Sequence, residues 1–191
     1  MIKKFLNNIP KNKKLVLELG IGDGNLIKSL SEKNHDCYFI GIEIQEDCFI
    51  KAKYNIKSQN VMLLNCSFED VLPLFEDVSI YNIISVLPDP KYIDTSYRHE
   101  WDVFYKILYK KLLKKGLLIL ITEITEELFQ PVSNNYFYKE VDNLKQVFQS
   151  IGFNILNDFE GYQENYMTTF LQIFSGDPKR IRIISFEFTK N

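Results

Sequence analysis

Continuous runs of Ile, Leu, Val and aromatic residues recur along the chain at about 14–19, 37–43, 60–65, 79–86 and 117–122, with little polar alternation inside them. Such runs predict short strands buried on both faces. Between them the apolar positions fall at helical spacing, over about 24–33, 46–57, 99–114 and 137–151. The last window places Val141, Leu144, Val147, Phe148 and Ile151 on one face. Gly116 and Gly152 read as helix stops. Strands that alternate with helices predict crossover connections and a mostly parallel sheet in an α/β fold. Two further runs, 153–156 and 180–188, predict a closing pair of strands, one of them antiparallel at the edge.

The first run breaks into Glu18-Leu-Gly20-Ile-Gly22-Asp-Gly24 and resumes as a helix. Gly20, Gly22 and Gly24 allow positive φ and let a ligand approach the backbone where a Cβ would obstruct it. A dinucleotide fingerprint requires a third glycine at the position of Asn25, so a pyrophosphate site is disfavoured. Glu18, at the strand end, instead suits a cationic amine. This acidic glycine turn resembles the first motif of class I S-adenosylmethionine (SAM) methyltransferases.

In a parallel sheet, ligands lie beyond the carboxyl ends of the strands. The second strand ends in Glu43, about 20 residues after the glycine turn, the spacing at which an acid meets both ribose hydroxyls. Ile44 follows it. The third ends in Asn65-Cys-Ser67-Phe68, where Ser67 would meet an adenine edge and Phe68 cover a ring face. The fourth ends in Leu87-Pro-Asp89-Pro90, in which two prolines stiffen the turn around a carboxylate.

Composition changes this picture little. The 191 residues suffice for a sizeable core, and 46% hydrophobic with 25% charged residues is globular. No apolar run approaches the roughly 20 residues that span a bilayer, and the start of the chain lacks a signal-peptide pattern, so a cytoplasmic location without membrane attachment is expected. Cys37, Cys48 and Cys66 are scattered and read as reduced thiols, with no metal expected. A formal net charge of −2 excludes nucleic-acid binding by bulk electrostatics. Local candidates are Lys106, Lys110, Lys111, Lys114 and Lys115, which read equally as a solvated helix face, and Lys179, Arg180 and Arg182.

Five segments taken together resemble the bacterial tRNA (guanine-N7)-methyltransferases, the TrmB-like branch of class I enzymes. They are Leu17-Glu-Leu-Gly-Ile-Gly-Asp-Gly24, Phe39-Ile-Gly-Ile-Glu-Ile44, Leu87-Pro-Asp-Pro90, the stretch from Gly116 to Thr122-Glu123, and Tyr166-Met-Thr-Thr-Phe-Leu-Gln-Ile-Phe-Ser-Gly-Asp-Pro178. The resemblance implies a Rossmann-like class I methyltransferase fold: one domain over 1–191, with a mostly parallel seven-stranded sheet, helices on both faces and an antiparallel edge strand. It implies SAM as cofactor, held by Glu18, Gly20, Gly22, Gly24, Glu43, Ile44, Ser67 and Phe68. It implies tRNA as partner, met by Lys91, Arg98, Glu123 and Thr168, with Asp89 catalytic, in a monomer or homodimer. The chain departs from the family pattern in four places, one of them the conservative change of Thr-Asp after the fifth strand to Thr122-Glu123. Only Lys91, Arg98 and His99 remain of the basic run after Pro-Asp-Pro, Leu171 replaces a glutamate, and the basic N-terminal extension is reduced to Lys3, Lys4, Lys11, Lys13 and Lys14.

The implied chemistry is consistent with these residues. Guanine N7 is an unprotonated lone pair on the major-groove edge, so its attack on a methyl group releases no proton and requires no general base. Positioning and charge stabilisation remain, and carboxylates serve both. Tyr92 or Phe170 would stack on the base. Two alternatives stand beside this reading. Asp89-Pro-Lys-Tyr92 also resembles a degraded Asp/Asn-Pro-Pro-Tyr motif of amino-methyltransferases, and a non-catalytic SAM- or RNA-binding subunit would keep the same turn.

Overall fold

The computed structural model describes residues 9–127 and 130–191, so Lys3 and Lys4 lie outside the described residues. Strands β1 (Lys14–Leu19), β2 (Cys37–Glu43), β3 (Val61–Asn65), β4 (Ile80–Val86), β5 (Leu112–Ile124), β6 (Asn154–Glu160) and β7 (Arg182–Thr189) form a seven-stranded sheet in the order β3-β2-β1-β4-β5-β7-β6. The first five pair in parallel. The antiparallel pairing expected of the closing strands is supplied by β7, which runs between β5 and β6 and opposite to both. Strand order reverses between β1 and β4, so the crevice beyond their carboxyl ends is the natural ligand position.

The helices are α1 (Asn25–Lys33), α2 (Glu46–Asn55), α3 (Phe68–Val71), α4 (Arg98–Lys111), α5 (Asn134–Ile151) and α6 (Thr169–Phe174). Alternate residues of a strand face opposite sides of the sheet, and the core divides accordingly. Leu15, Leu17 and Leu19 of β1 join the layer that contains Trp101 and Leu108 of α4 and Phe148 of α5. Val16 joins the other layer, with Leu26 and Ile27 of α1 and Ala52 of α2. Glu18 shares the parity of Val16, which carries its carboxylate toward the α1 layer.

Gly116 does not stop a helix. Helix α4 ends at Lys111, and Leu112 already has strand geometry. While β4 advances from Ile80 to Asn82, its partner advances from Leu112 to Leu117. The surplus residues form a bulge in which Lys115 has φ 62°. A Cβ on Gly116 would approach the Tyr81 carbonyl oxygen to 2.7 Å, so glycine is required by the close approach of two backbones. Lys114 and Lys115 therefore belong to a strand bulge and not to the helix. Gly116→Ala is expected to lower unfolding free energy by about 1–3 kcal/mol, measured by urea denaturation.

Candidate active site

The glycine turn is set by its hydrogen bonds. Ile42 O accepts from the Gly20 and Ile21 amides at 2.9 and 3.1 Å. Glu43, at the end of β2 and 7% exposed, accepts from the Gly22 amide through Oε2 at 2.9 Å and from the Gln45 amide through Oε1 at 2.8 Å. The carboxylate thus ties the strand end to the turn. Gly20 and Gly22 have φ 73° and 55°, and a Cβ on either would meet nothing within 4 Å, because both face open space. Gly24 differs. Its Cβ would come within 2.7 Å of Ile56 Cδ1 and 2.9 Å of Ala52 Cβ, so its smallness serves the packing of α1 against α2.

Glu18 lies beneath the turn, 2% exposed, and its Oε2 has no hydrogen-bond partner. Burial holds its carboxyl well above the usual range; the nearby Asp23 and Glu43 add to this and the Ile27 amide opposes it. The folded state therefore binds a proton that the unfolded chain has released above its ordinary value of 4.5. The stability associated with protonated Glu18 is complete below that value and is lost as pH rises through the raised one. Glu18→Gln is expected to make the protein more resistant to heat than the wild type at neutral and alkaline pH, with the advantage shrinking toward pH 4. Thermal melts across pH measure this, and an advantage that grows toward acid would refute it.

Across the crevice, β4 ends in a constrained turn. Leu87 has φ 49°, a left-handed conformation unusual for a branched side chain, and its amide donates to Ile121 O at 2.7 Å. Asp89 follows, exposed, and its Oδ1 accepts from the Lys91 amide at 3.0 Å, capping a short 3-10 turn over Pro90–Tyr92. Glu123, near the end of β5, is half-buried with an unpartnered Oε2, and burial raises its carboxyl. Thr168 caps α6 by accepting from the Leu171 amide at 3.1 Å. Leu171, at the position of the family's glutamate, is fully buried in the α1 layer.

These elements enclose a cleft of about 470 Å³ lined by Gly20, Gly22, Glu43, Asp89, Glu123 and Thr168. The other expected residues lie elsewhere. Ile44 is 67% exposed and does not line the cleft. Ser67 caps α3, accepting from the Glu69 amide at 3.2 Å, and the Phe68 ring packs on Tyr92 and Phe104 with centroids 5.1 and 5.0 Å away. Tyr92 is buried in that cluster, so of the two expected stacking residues it is Phe170, 56% exposed, that lines the cleft, together with Phe174. The Lys91 ammonium lies over the Tyr92 ring, and Arg98 donates to Ser150 Oγ. Both stand outside the cleft. Four of the eight candidate basic residues are paired internally: Lys106 with Asp102, Lys111 with Asp77, Arg180 with Asp177 and Arg182 with Glu160. Asp23, Lys51 and Thr169 also line the cleft, although no local pattern singled them out.

A family model described as "Putative methyltransferase" matches residues 12–160. The chain belongs to this TrmB-like family. It is 29% identical over 170 residues to the tRNA (guanine-N(7)-)-methyltransferase of Mycoplasma genitalium, covering 85% of this chain and 78% of that one. It is 27% identical over 202 residues to the enzyme of the same name from Mycoplasmopsis pulmonis, covering 100% and 91%. Among solved structures, a 16S rRNA (adenine(1408)-N(1))-methyltransferase from Catenulisporales acidiphilia superposes with a TM-score of 0.71 at 10% identity, covering 98% of this chain and 91% of that one. That likeness is one of fold.

The residues present fit the family's cofactor. Gly20 and Gly22 leave open the space a nucleoside would occupy. Each oxygen of Glu43 holds one backbone amide and retains acceptor capacity for a ribose hydroxyl. Glu18 keeps a buried oxygen that no group among the described residues satisfies.

Proposed function

We propose that this protein is a SAM-dependent methyltransferase that modifies N7 of a guanosine in tRNA. The observation that carries the reading is the cleft itself. It sets the Gly20–Gly22 turn and Glu43 on one wall and Asp89, Glu123 and Thr168 on the other.

Bound SAM supplies an electrophilic methyl group on a sulfonium. The chain supplies the rest. Glu18 and Glu43 hold the cofactor wall, and Asp89 accepts from the N1 and N2 hydrogens of the guanine, which fixes the base in line for attack. No residue need remove a proton, because N7 has none to lose. Glu123 offers its unpartnered oxygen to another edge of the base, and Phe170 offers a stacking face. Positive charge that develops on the purine is stabilised by these carboxyl groups. Exposing the base costs a few kcal/mol, less in a loop than in a duplex.

Among the described residues no helix is long and apolar enough to cross a membrane. With tRNA as substrate, the reading places the protein in the cytoplasm. Incubation with labelled SAM and unmodified tRNA, followed by digestion to nucleosides, tests it. The expected product is 7-methylguanosine. A label on an exocyclic amine would move the assignment to an amino-methyltransferase, and no transfer to any RNA would reduce the protein to a binding subunit.

A further inference from the structure

Asp23 stands inside the glycine turn, yet its carboxylate is engaged by the far end of the chain. Oδ2 accepts from Thr169 Oγ1 at 2.7 Å and from Asn25 Nδ2 at 2.9 Å, while Oδ1 accepts from the Asn25 amide at 3.2 Å. Asn25 Nδ2 also reaches Thr169 Oγ1 at 3.3 Å, which closes a ring of three side chains. Thr169 is the first residue of α6, whose Thr168, Phe170 and Phe174 line the acceptor side of the cleft. Leu171 anchors the same helix by burial in the α1 layer. Phe174, in the last turn of the helix, packs against the same layer, and both contacts are apolar and non-directional. The polar ring supplies a directional attachment, and it is made to the cofactor turn.

We propose that Asp23 and Thr169 are positioning residues for methyl transfer, which couple the shape of the cofactor turn to the placement of α6 over the acceptor side of the cleft. The inference rests on the function proposed above and extends it to the order within the site. A ligand that fixes the cofactor turn also fixes α6 where tRNA would meet it, so S-adenosylhomocysteine (SAH) is expected to strengthen tRNA binding, and by linkage tRNA strengthens SAH binding by the same factor.

The test uses the full chain with two substitutions. Thr169→Val keeps the size and branching of the side chain and removes the hydroxyl, whereas Thr169→Ser keeps the hydroxyl. SAH affinity is measured by calorimetry with and without unmodified tRNA, and exchange of the α6 amides is followed in the ligand-free protein. Thr169→Val is expected to lower the coupling factor by about fivefold, to raise the KM for tRNA more than it lowers kcat, and to speed exchange of the Leu171 and Gln172 amides, with Thr169→Ser restoring all three. An unchanged coupling factor in Thr169→Val, with SAH still bound, overturns the proposal even if exchange is faster, since the ring is then only a brace. Failure of the wild type to bind SAH removes the cofactor reading itself, and the coupling with it.

Discussion

Replacing Asp89 with alanine is expected to lower kcat for methyl transfer to tRNA by at least about a hundredfold while affinity for SAH stays within about threefold. The asymmetry follows from position. Asp89 belongs to the β4 turn, across the crevice from Gly22 and Glu43, and among the described residues its Oδ1 bonds within its own turn, to the Lys91 amide. Its loss leaves the hydrogen bonds of the glycine turn in place. The backbone there is held by Pro88, Pro90 and the Leu87 amide bonded to Ile121 O, so the variant keeps the turn and loses the carboxylate. Asp89→Asn retains one acceptor and should recover part of the rate. Single-turnover kinetics with saturating SAM, alongside SAH calorimetry, separates the two quantities. A large loss of SAH affinity in Asp89→Ala would place the residue on the cofactor wall and undo its assigned role.

What could be read from the sequence depended on the range of the interaction concerned. Strands β1, β2 and β4 are buried on both faces, so their apolar runs carry their own signature. The glycine turn is legible as well, because its glycines alternate within one short stretch, although the bonds that hold it come from Ile42 and Glu43 of the neighbouring strand. Gly116 misled because glycine after a lysine-rich stretch matches a helix end. The feature that explains it, the Tyr81 carbonyl pressed against its Cα, belongs to a neighbouring strand. Ser67 and Phe68 misled for a different reason. Ser67-Phe-Glu-Asp70 carries a local helix-capping pattern, which was legible and which the expected adenine contact obscured. Asp23 and Thr169 could not be paired from sequence at all, since 146 positions separate them and neither stands in a pattern that requires the other.

The acidic residues of the site also show why sequence charge and site charge diverge. A formal net charge of −2 conceals the gathering of Glu18, Asp23 and Glu43 around one turn, with Asp89 and Glu123 on the opposite wall. Burial raises the Glu18 carboxyl, and the neighbouring Asp23 and Glu43 charges add to it. Lys51 also lines the cleft, whereas Lys111 and Arg182 are paired at a distance, in the Lys111–Asp77 and Arg182–Glu160 bridges.

Glu43→Ala is the complementary case, and SAH affinity is expected to fall by about ten- to a hundredfold, as the loss of charge-assisted hydrogen bonds to hydroxyls implies. Two consequences of the same deletion must be separated. The side chain now accepts from the Gly22 and Gln45 amides, so its removal both withdraws a ribose partner and releases the turn that forms the cradle. Glu43→Gln distinguishes them. Its carbonyl oxygen can still hold the Gly22 amide, while its NH2 group repels the Gln45 amide and offers a hydroxyl a donor where an acceptor stood. If ribose contact dominates, both variants lose SAH affinity to a similar degree, although Gln melts nearer the wild type. If the turn dominates, Gln recovers most of the affinity along with the stability. Either pattern keeps Glu43 on the cofactor wall, whereas wild-type affinity in Glu43→Ala, or an equal loss in Asp89→Ala, would show that the two walls of the cleft do not divide the work between cofactor and base.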